Sequence, residues 1–299
     1  MLPLRYLANL KPFIVIGEKM YLSPFDNACL KYRAVNKNYE LTLTDMFCAL
    51  ASKMNNPVVV DAGANYGIYM LHSIVLARRG LVRNVIAIEP DKSAFKCLNK
   101  SVNSSGCNHL VALINGAISS KEGTINLRKN IRSSMDNRID YGISSDNKFP
   151  VKSIHRVNTV NLGQILENDL TVEYIFKIDI EGAEFDAIKT MKEQLKLIPG
   201  YTIFFEFFPC ALKDSGIKIS SFLDLIKEIE PTVFYERFSS NFYRHDENSF
   251  YKRLEQVEYD DPLNKEGPVT EVMISNIDTV EKFMTSKHKL EDISETLSM

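Results

Sequence analysis

The chain has 299 residues, enough for one large domain or two smaller ones. It carries 36 Lys and Arg against 38 Asp and Glu, a formal net charge of −2, so it has no electrostatic signature of nucleic-acid binding. Its five cysteines form no C-x-x-C pair, which argues against a disulfide framework or structural zinc and favours a reducing compartment. No run reaches the roughly 18 apolar residues of a membrane span, so the sequence predicts a cytoplasmic protein.

Residues 1–53 predict an N-terminal extension. The segment KPFIVIGEKMYLSPFD is typical of a short hairpin, and residues 42–53 predict a helix that leads into the first core strand. The main domain is expected over residues 54–284, followed by a tail at 285–299 that predicts a frayed helix or disorder.

In the main domain, short apolar runs alternate with longer amphipathic stretches. The runs are 58–60, 85–88, 110–114, 174–178, 202–205, 232–235 and 272–274. Runs that are apolar throughout are typical of strands buried on both faces of a sheet, and helical spacing falls between them at 68–79, 93–102 and 183–197. The pattern predicts an α/β fold with a Rossmann-like, doubly wound, seven-stranded and mostly parallel sheet.

Residues 124–160 interrupt this rhythm because they are polar and poorly periodic. They predict an insertion of small strands and loops beside the carboxyl edge of the sheet. Loops that cover this edge usually shape a substrate site.

The first dense motif is VVVDAGANYG, at residues 58–67. Gly63 and Gly67 let the backbone turn sharply and approach a ligand, and the helix behind them offers unpaired N–H groups to an anion. The motif is not the dinucleotide fingerprint G-x-G-x-x-G, because Ala64-Asn65 stands where the second glycine would be. An ordinary strand-to-helix turn is the alternative interpretation.

The second core strand ends in Glu89, 22 residues after Gly67. A carboxylate at about that distance accepts hydrogen bonds from adjacent ribose hydroxyls, whereas the alternative is a solvated carboxylate at a helix start. Together the two motifs favour nucleoside binding. The third strand ends near Gly116 and Ala117, which are small enough for a flat ring to lie close, although a simple turn explains them equally well.

The second dense motif, KIDIEGAE, begins at Lys177 inside an apolar strand. A buried lysine needs a partner, so we expect it to lie against Asp179, Glu181 or Glu206. Glu206 is a lone carboxylate in the phenylalanine-rich strand that should neighbour this one, and a structural pair with Lys177 is the alternative for it. The motif favours a functional site with perturbed charges.

These motifs, VVVDAGANYG, IAIEPD and KIDIEGAEFDAIK followed by FFEFFP, resemble the FkbM family of S-adenosylmethionine-dependent methyltransferases over roughly residues 38–210. The resemblance also takes in Tyr39-Glu40 before the glycine loop and Ser133-Ser134 in the insertion. The resemblance implies a class I methyltransferase-like fold, S-adenosylmethionine as cofactor, and O-methylation of a hydroxyl on a sugar, glycan or secondary metabolite. The residues it places at the cofactor are Asp61, Gly63, Asn65 and Gly67 at the methionine part, Glu89 at the ribose and Ala117 at the adenine.

The catalytic candidates are Asp179, Lys177, Glu181 and Glu206, with Asp179 or Glu206 as the general base for a hydroxyl acceptor. Asp179 with Glu181 is also a hard donor pair that suits a divalent cation, and no metal is assigned. The rival functions are an NAD-type oxidoreductase, an N-methyltransferase and a non-catalytic nucleoside-binding module. A small-molecule or glycan acceptor is expected, and a nucleic-acid partner is not.

Overall fold

The computed structural model describes residues 12–23, 26, 41–131, 133–142, 151–238, 241–257 and 269–285. The strands, in chain order, are β1 Phe13–Val15, β2 Glu18–Met20, β3 Val58–Ala62, β4 Asn84–Ile88, β5 Val111–Ile114, β6 Ala117–Ile118, β7 Thr124–Asn130, β8 Arg138–Ile139, β9 Val151–Val160, β10 Tyr174–Ile178, β11 Tyr201–Phe207, β12 Val233–Phe238, β13 Asn241–His245 and β14 Thr270–Ser275.

The helices are α1 Leu41–Ala51, α2 Ile68–Arg78, α3 Lys92–Ser105, α4 Leu162–Leu166, α5 Glu184–Leu195, α6 Pro209–Asp214, α7 Ile219–Glu228, α8 Glu247–Val257 and α9 Asp278–Thr285. The predicted hairpin (β1 and β2) and the predicted helix before the first core strand (α1) are both confirmed. The predicted tail, from residue 286 onward, lies outside the described residues.

The main sheet has the strand order β13-β12-β14-β11-β10-β3-β4-β5. Neighbours from β11 to β5 run parallel, whereas β14 is antiparallel to both β11 and β12, and β13 is antiparallel to β12. The α/β fold is therefore confirmed. However, the described part of this sheet is mixed and has eight strands rather than the expected seven, because the chain returns after β12 as the edge strand β13.

Helices cover both faces of the main sheet, which accounts for the continuous apolar runs of its strands. Val59 of β3 packs in one core with α1, α2 and α3, while its neighbours Val58 and Val60 pack in a second core with α5, α7 and α8. Successive side chains of one strand thus enter opposite cores. Among the described helices, none has the length and apolar character that crossing a membrane requires.

The predicted insertion folds as a small sheet with the strand order β6-β9-β7-β8. Its central strands β7 and β9 pair antiparallel over most of their length. The expectation of small strands between residues 124 and 160 is confirmed, with β6 added from the preceding residues. Cys48, Cys97, Cys107 and Cys210 form no disulfide, and Cys29 lies outside the described residues.

Candidate active site

A cleft with a volume of about 270 Å³ lies where the carboxyl ends of β3, β4, β10 and β11 face the small sheet. Parallel strands bring their carboxyl ends to one edge of a sheet, which is where open α/β sheets bind ligands. The predicted site residues that line it are Asp61, Gly63, Asn65, Glu89, Ala117, Lys177, Asp179, Glu181 and Glu206. Gly67 is the predicted site residue that does not line this cleft.

Gly63 stands where the loop after β3 meets the end of β10. Its φ is +83°, and a Cβ built on it would lie 1.9 Å from the carbonyl oxygen of Asp179. Its N–H donates to the carbonyl oxygen of Ile88 at 3.0 Å, which ties the same loop to β4. The close approach that requires glycine here is therefore an approach to the protein's own backbone.

Asp61 and Gly67 organise the start of α2. Asp61 is 2% exposed, and its Oδ2 accepts a hydrogen bond from the N–H of Met70 at 2.9 Å, inside the first turn of the helix. Gly67 has a φ of +91°, and a Cβ there would lie 2.6 Å from Cδ1 of Leu98. Gly67 is therefore required chiefly by its left-handed backbone before α2, because the atoms nearest to such a Cβ are the movable ends of the Leu98 and Met70 side chains, whereas Asp61 also reaches the cleft wall.

Glu89 is 5% exposed, and backbone N–H groups hold both oxygens of its carboxyl group. Oε2 accepts from the N–H of Asn65 at 2.8 Å, and Oε1 accepts from the N–H of Asp91 at 2.7 Å. Burial raises the pKa of Glu89 to about 8, although these two hydrogen bonds favour the ionised form. Each oxygen keeps a second lone pair that can accept a further hydrogen bond.

Ala117, which the sequence analysis predicts to face the adenine, begins β6 and pairs with Thr159 of β9, so it lies where the main sheet meets the small sheet. A Cβ on the preceding Gly116 would lie 2.4 Å from Cγ2 of Val160. The small residues therefore let β9 approach the end of β5.

Lys177 is 2% exposed in β10, and its Nζ lies 3.2 Å from Oδ2 of Asp179. One of the three expected carboxylate partners is thus confirmed. The ammonium also lies 5.4 Å from the ring centroid of Tyr69, which adds a cation–π contact. The Asp179 side chain is 36% exposed, so this ion pair has its cation in the core and its carboxylate in the cleft.

Asp179, Glu181 and Glu206 each place a carboxylate oxygen within 4.8 Å of the others. Burial raises the pKa of Glu181 to about 8, although the charge of Arg138 lowers it. Burial, followed by the charges of Asp179 and Glu181, raises the pKa of Glu206 well above its ordinary value. Burial and the neighbouring carboxylates therefore favour the protonated forms of Glu181 and Glu206, which can donate hydrogen bonds.

Backbone geometry turns Glu181 into the cleft. Its φ of +54° is uncommon for a residue with a side chain, and Gly182 follows with a φ of +102°. The buried Glu184 holds this loop, because its oxygens accept from the N–H of Ile180 at 3.2 Å and of Gly182 at 2.9 Å. Such strained positions persist where the surrounding structure enforces them, often at functional sites.

The insertion supplies two further cleft residues: Arg138 of β8, which no motif indicated, and Ser134, which belongs to the Ser133-Ser134 pair of the family resemblance. Nη2 of Arg138 donates to Oε2 of Glu181 at 3.1 Å, and its guanidinium carbon lies 5.1 Å from the ring centroid of Phe208. Oγ of Ser134 accepts from Nδ2 of Asn65 at 3.2 Å, so this segment also reaches the loop after β3. Spacing could not reveal these contacts, because they join residues 43 and 69 positions apart in sequence.

The free energy of unfolding of the unliganded chain should fall as the pH rises from about 6.5 to about 8. Burial raises the pKa of both Glu89 and Glu181 from 4.5 to about 8, so in this window the folded chain holds protons that the unfolded chain has lost. Each group then lowers the free energy of unfolding by about 1 kcal/mol per pH unit, and by less as the pH nears 8. Burial lowers the pKa of His72, which makes the free energy of unfolding rise with pH. This opposite effect falls below pH 6.5, the ordinary pKa of histidine, and so outside the window.

Urea denaturation at several pH values in this window measures the slope. Glu89→Gln should flatten it, since the amide does not titrate. If the free energy of unfolding of the wild-type chain rose between pH 6.5 and 8, it would contradict the raised pKa values of Glu89 and Glu181.

The sequence model of the Methyltransferase FkbM domain matches residues 61–234, more than half of the chain. No curated protein shows significant similarity to it. Solved structures with remote similarity to this chain include three methyltransferases. Methyltransferase FkbM from Methylobacillus flagellatus KT has 13% sequence identity and a TM-score of 0.43, and the match covers 73% of this chain and 43% of that chain. The O-methyltransferase from Bacillus cereus in complex with SAH has 14% identity and a TM-score of 0.42, with 83% of this chain and 86% of that chain covered. A SAM-dependent methyltransferase from Aquifex aeolicus has 12% identity and a TM-score of 0.42, with 85% of this chain and 100% of that chain covered.

The present chain thus spans less than half the length of the Methylobacillus flagellatus protein. The family match begins at Asp61, the charged residue of strand β3. It includes the glycine loop, Glu89 and the acidic motif after β10. This chain belongs to the FkbM methyltransferase domain family.

Proposed function

We propose that the chain transfers a methyl group from S-adenosylmethionine to a hydroxyl oxygen of a sugar, glycan or secondary metabolite. The observation that carries the proposal is the division of the cleft: the glycine loop and Glu89 stand on one side, and the carboxyl groups of Asp179, Glu181 and Glu206 on the other. We also propose that residues 54–284 form the methyltransferase domain, with 1–53, 124–160 and 285–299 as extension, insertion and tail.

The first side suits a nucleoside with an attached amino acid. Glu89 is held by two backbone amides, and ribose hydroxyls that donate to it would favour its ionised form, whose remaining lone pairs can accept from both of them. The loop from Asp61 to Asn65 would bind the methionine part, and Ala117 would face the adenine. When bound, S-adenosylmethionine supplies an electrophilic methyl group on a sulfonium, which an acceptor oxygen displaces in line.

The second side suits an acceptor that is neutral and carries hydroxyls. The side chain of Asp179 is 36% exposed, against 16% for Glu181, and the ammonium of Lys177 lies against it on the core side. The pair can therefore take a proton from an acceptor hydroxyl at Oδ of Asp179. Protonated Glu181 and Glu206 would donate hydrogen bonds that orient the acceptor. Orientation is the main demand of an in-line transfer.

The cleft also bears on the rival functions. A nicotinamide oxidoreductase would need close approach of a pyrophosphate to the loop, and Ala64-Asn65 stands where the fingerprint has its second glycine. A purely nucleoside-binding module would not need a half-exposed carboxylate backed by a buried lysine. An amine acceptor would need a polar pocket rather than a base.

Calorimetry with S-adenosylmethionine, S-adenosylhomocysteine and NAD tests the cofactor, and the first two should bind in strong preference to the third. Glu89→Ala should weaken S-adenosylmethionine binding by roughly 1.5–3 kcal/mol, the cost of losing a charged hydrogen-bonding partner. Glu122→Ala, at an exposed residue on the turn before β7, is the matched control and should bind like wild type. Unchanged affinity in folded Glu89→Ala would remove Glu89 from the site.

The acceptor atom is tested with S-adenosylmethionine that carries a ¹³C-labelled methyl group and a panel of glycosides, polyols and amines. The chemical shift of the transferred methyl carbon distinguishes an ether from an amine. Transfer to nitrogen alone would overturn the O-methylation proposal while leaving the cofactor assignment intact.

A further inference from the structure

Lys129 of β7 connects the small sheet to the cofactor side of the cleft. Its Nζ lies 2.5 Å from Oδ2 of Asp91, the residue two positions after Glu89. Asp91 is 2% exposed and Lys129 is 20% exposed, so the ion pair is largely shielded from water. Such a pair differs from a surface salt bridge, because removing one partner leaves the other as an uncompensated buried charge.

Asp91 is also the link between Lys129 and Glu89. Its backbone N–H donates to Oε1 of Glu89 at 2.7 Å, and its Oδ1 accepts from the N–H groups of Ser93 and Ala94, which caps α3. Burial opposes ionisation of Asp91, but the hydrogen bonds from Lys129 and Ala94 outweigh it and keep the pKa of Asp91 below its ordinary value. Asp91 is therefore a charged, fixed residue between the small sheet and Glu89.

We propose that Lys129 is a positioning residue for the ribose of the cofactor, acting through Asp91 to fix the carboxyl group of Glu89. Lys129 itself does not line the cleft, which is why its action is indirect. The inference rests on the proposed function, because it assumes that Glu89 binds the ribose of S-adenosylmethionine. It adds that the insertion helps to build the cofactor site as well as the acceptor site.

A second contact from the same segment supports this arrangement. Nδ2 of Asn137 lies 3.4 Å from Oδ2 of Asp91, and Oδ1 of Asn137 accepts from the N–H of Asn130 at 2.9 Å. The end of β7 and the turn after it thus approach Asp91 together. An ammonium and an amide on one carboxylate oxygen restrict it more than either would alone.

The test compares Lys129→Met with Lys129→Arg in the full chain, by calorimetry with S-adenosylhomocysteine and by steady-state kinetics. Lys129→Met should weaken S-adenosylhomocysteine binding about 10-fold and raise the KM for S-adenosylmethionine similarly, while kcat at saturation stays within about 2-fold. Lys129→Arg keeps the ion pair and should restore affinity to within about 3-fold of wild type. Lys121→Met, at an exposed lysine on the preceding turn, is the control and should change none of these values.

A purely structural role would lower the melting temperature of Lys129→Met with KM unchanged, or lower kcat in parallel, and either result overturns the proposal. If Lys129→Met does not fold, the double variant Lys129→Met, Asp91→Asn replaces the ion pair without leaving a buried charge, and Asn still caps a helix. The double variant should remain weakened, and wild-type affinity in it would also overturn the proposal. If the wild-type chain fails to bind S-adenosylhomocysteine, the proposed cofactor itself is wrong, and this inference falls with it.

Discussion

Asp179→Asn is expected to lower turnover by about 10²–10⁴-fold, the usual scale for losing a general base, while cofactor affinity changes far less. Asp179 combines a 36% exposed side chain in the cleft with a buried ammonium 3.2 Å from its Oδ2. The asparagine has nearly the same shape and can still accept from Lys177, but it cannot take the acceptor's proton. Single-turnover rates, S-adenosylmethionine affinity and melting temperature should be measured on one preparation.

Glu206→Gln is the matched comparison within the same group of carboxyls. Burial raises the pKa of Glu206 well above its ordinary value, which favours the protonated carboxyl group, and an amide replaces that form with little change in charge. Its effect should stay within about 10-fold. A larger loss in Glu206→Gln than in Asp179→Asn would transfer the base to Glu206. Parallel loss of affinity, stability and turnover in Asp179→Asn would instead make Asp179 a cofactor ligand or a structural partner of Lys177.

The sequence predicted the central sheet well because its strands are buried on both faces. All seven apolar runs are strands, and their alternation with helices implied the parallel core from β5 to β11. The edge strand β13, Asn241–His245, was missed. It pairs with one strand, β12, and most of its residues are polar or exposed. The other edge strand, β5, was found because its residues are all apolar, and β13 lacks that pattern.

The candidate site was predictable to the extent that it lies on strand ends. Asp61, Glu89, Asp179 and Glu206 follow or end neighbouring parallel strands, so topology alone brings them together. Arg138 comes instead from the small sheet, whose docking depends on tertiary contacts that no local pattern records. Whether a glycine serves a ligand or the fold also needs coordinates, and here both Gly63 and Gly67 are constrained by neighbouring protein atoms.

Gly63→Val is expected to abolish cofactor binding while the circular dichroism spectrum remains that of a folded chain. The new Cβ would lie 1.9 Å from the carbonyl oxygen of Asp179. Because this oxygen belongs to the backbone, the clash can be relieved only if the backbone moves. That movement displaces the loop carrying Asn65 and the strand end carrying Asp179 together. Because the contact lies at the edge of the sheet and not in either core, we expect local rearrangement and not global unfolding.

Gly80→Val separates this contact from backbone strain alone. Gly80, just beyond α2, has a φ of +72°, similar to the +83° of Gly63, but a Cβ there meets no atom within 4 Å. A side chain at either position pays the cost of a left-handed conformation, so both variants should lose some stability. Gly80→Val should nevertheless bind S-adenosylhomocysteine like wild type, because the cleft is untouched. Normal binding by Gly63→Val would mean that the loop tolerates the displacement, and that the carboxyl end of β10 is not coupled to the cofactor loop through this contact.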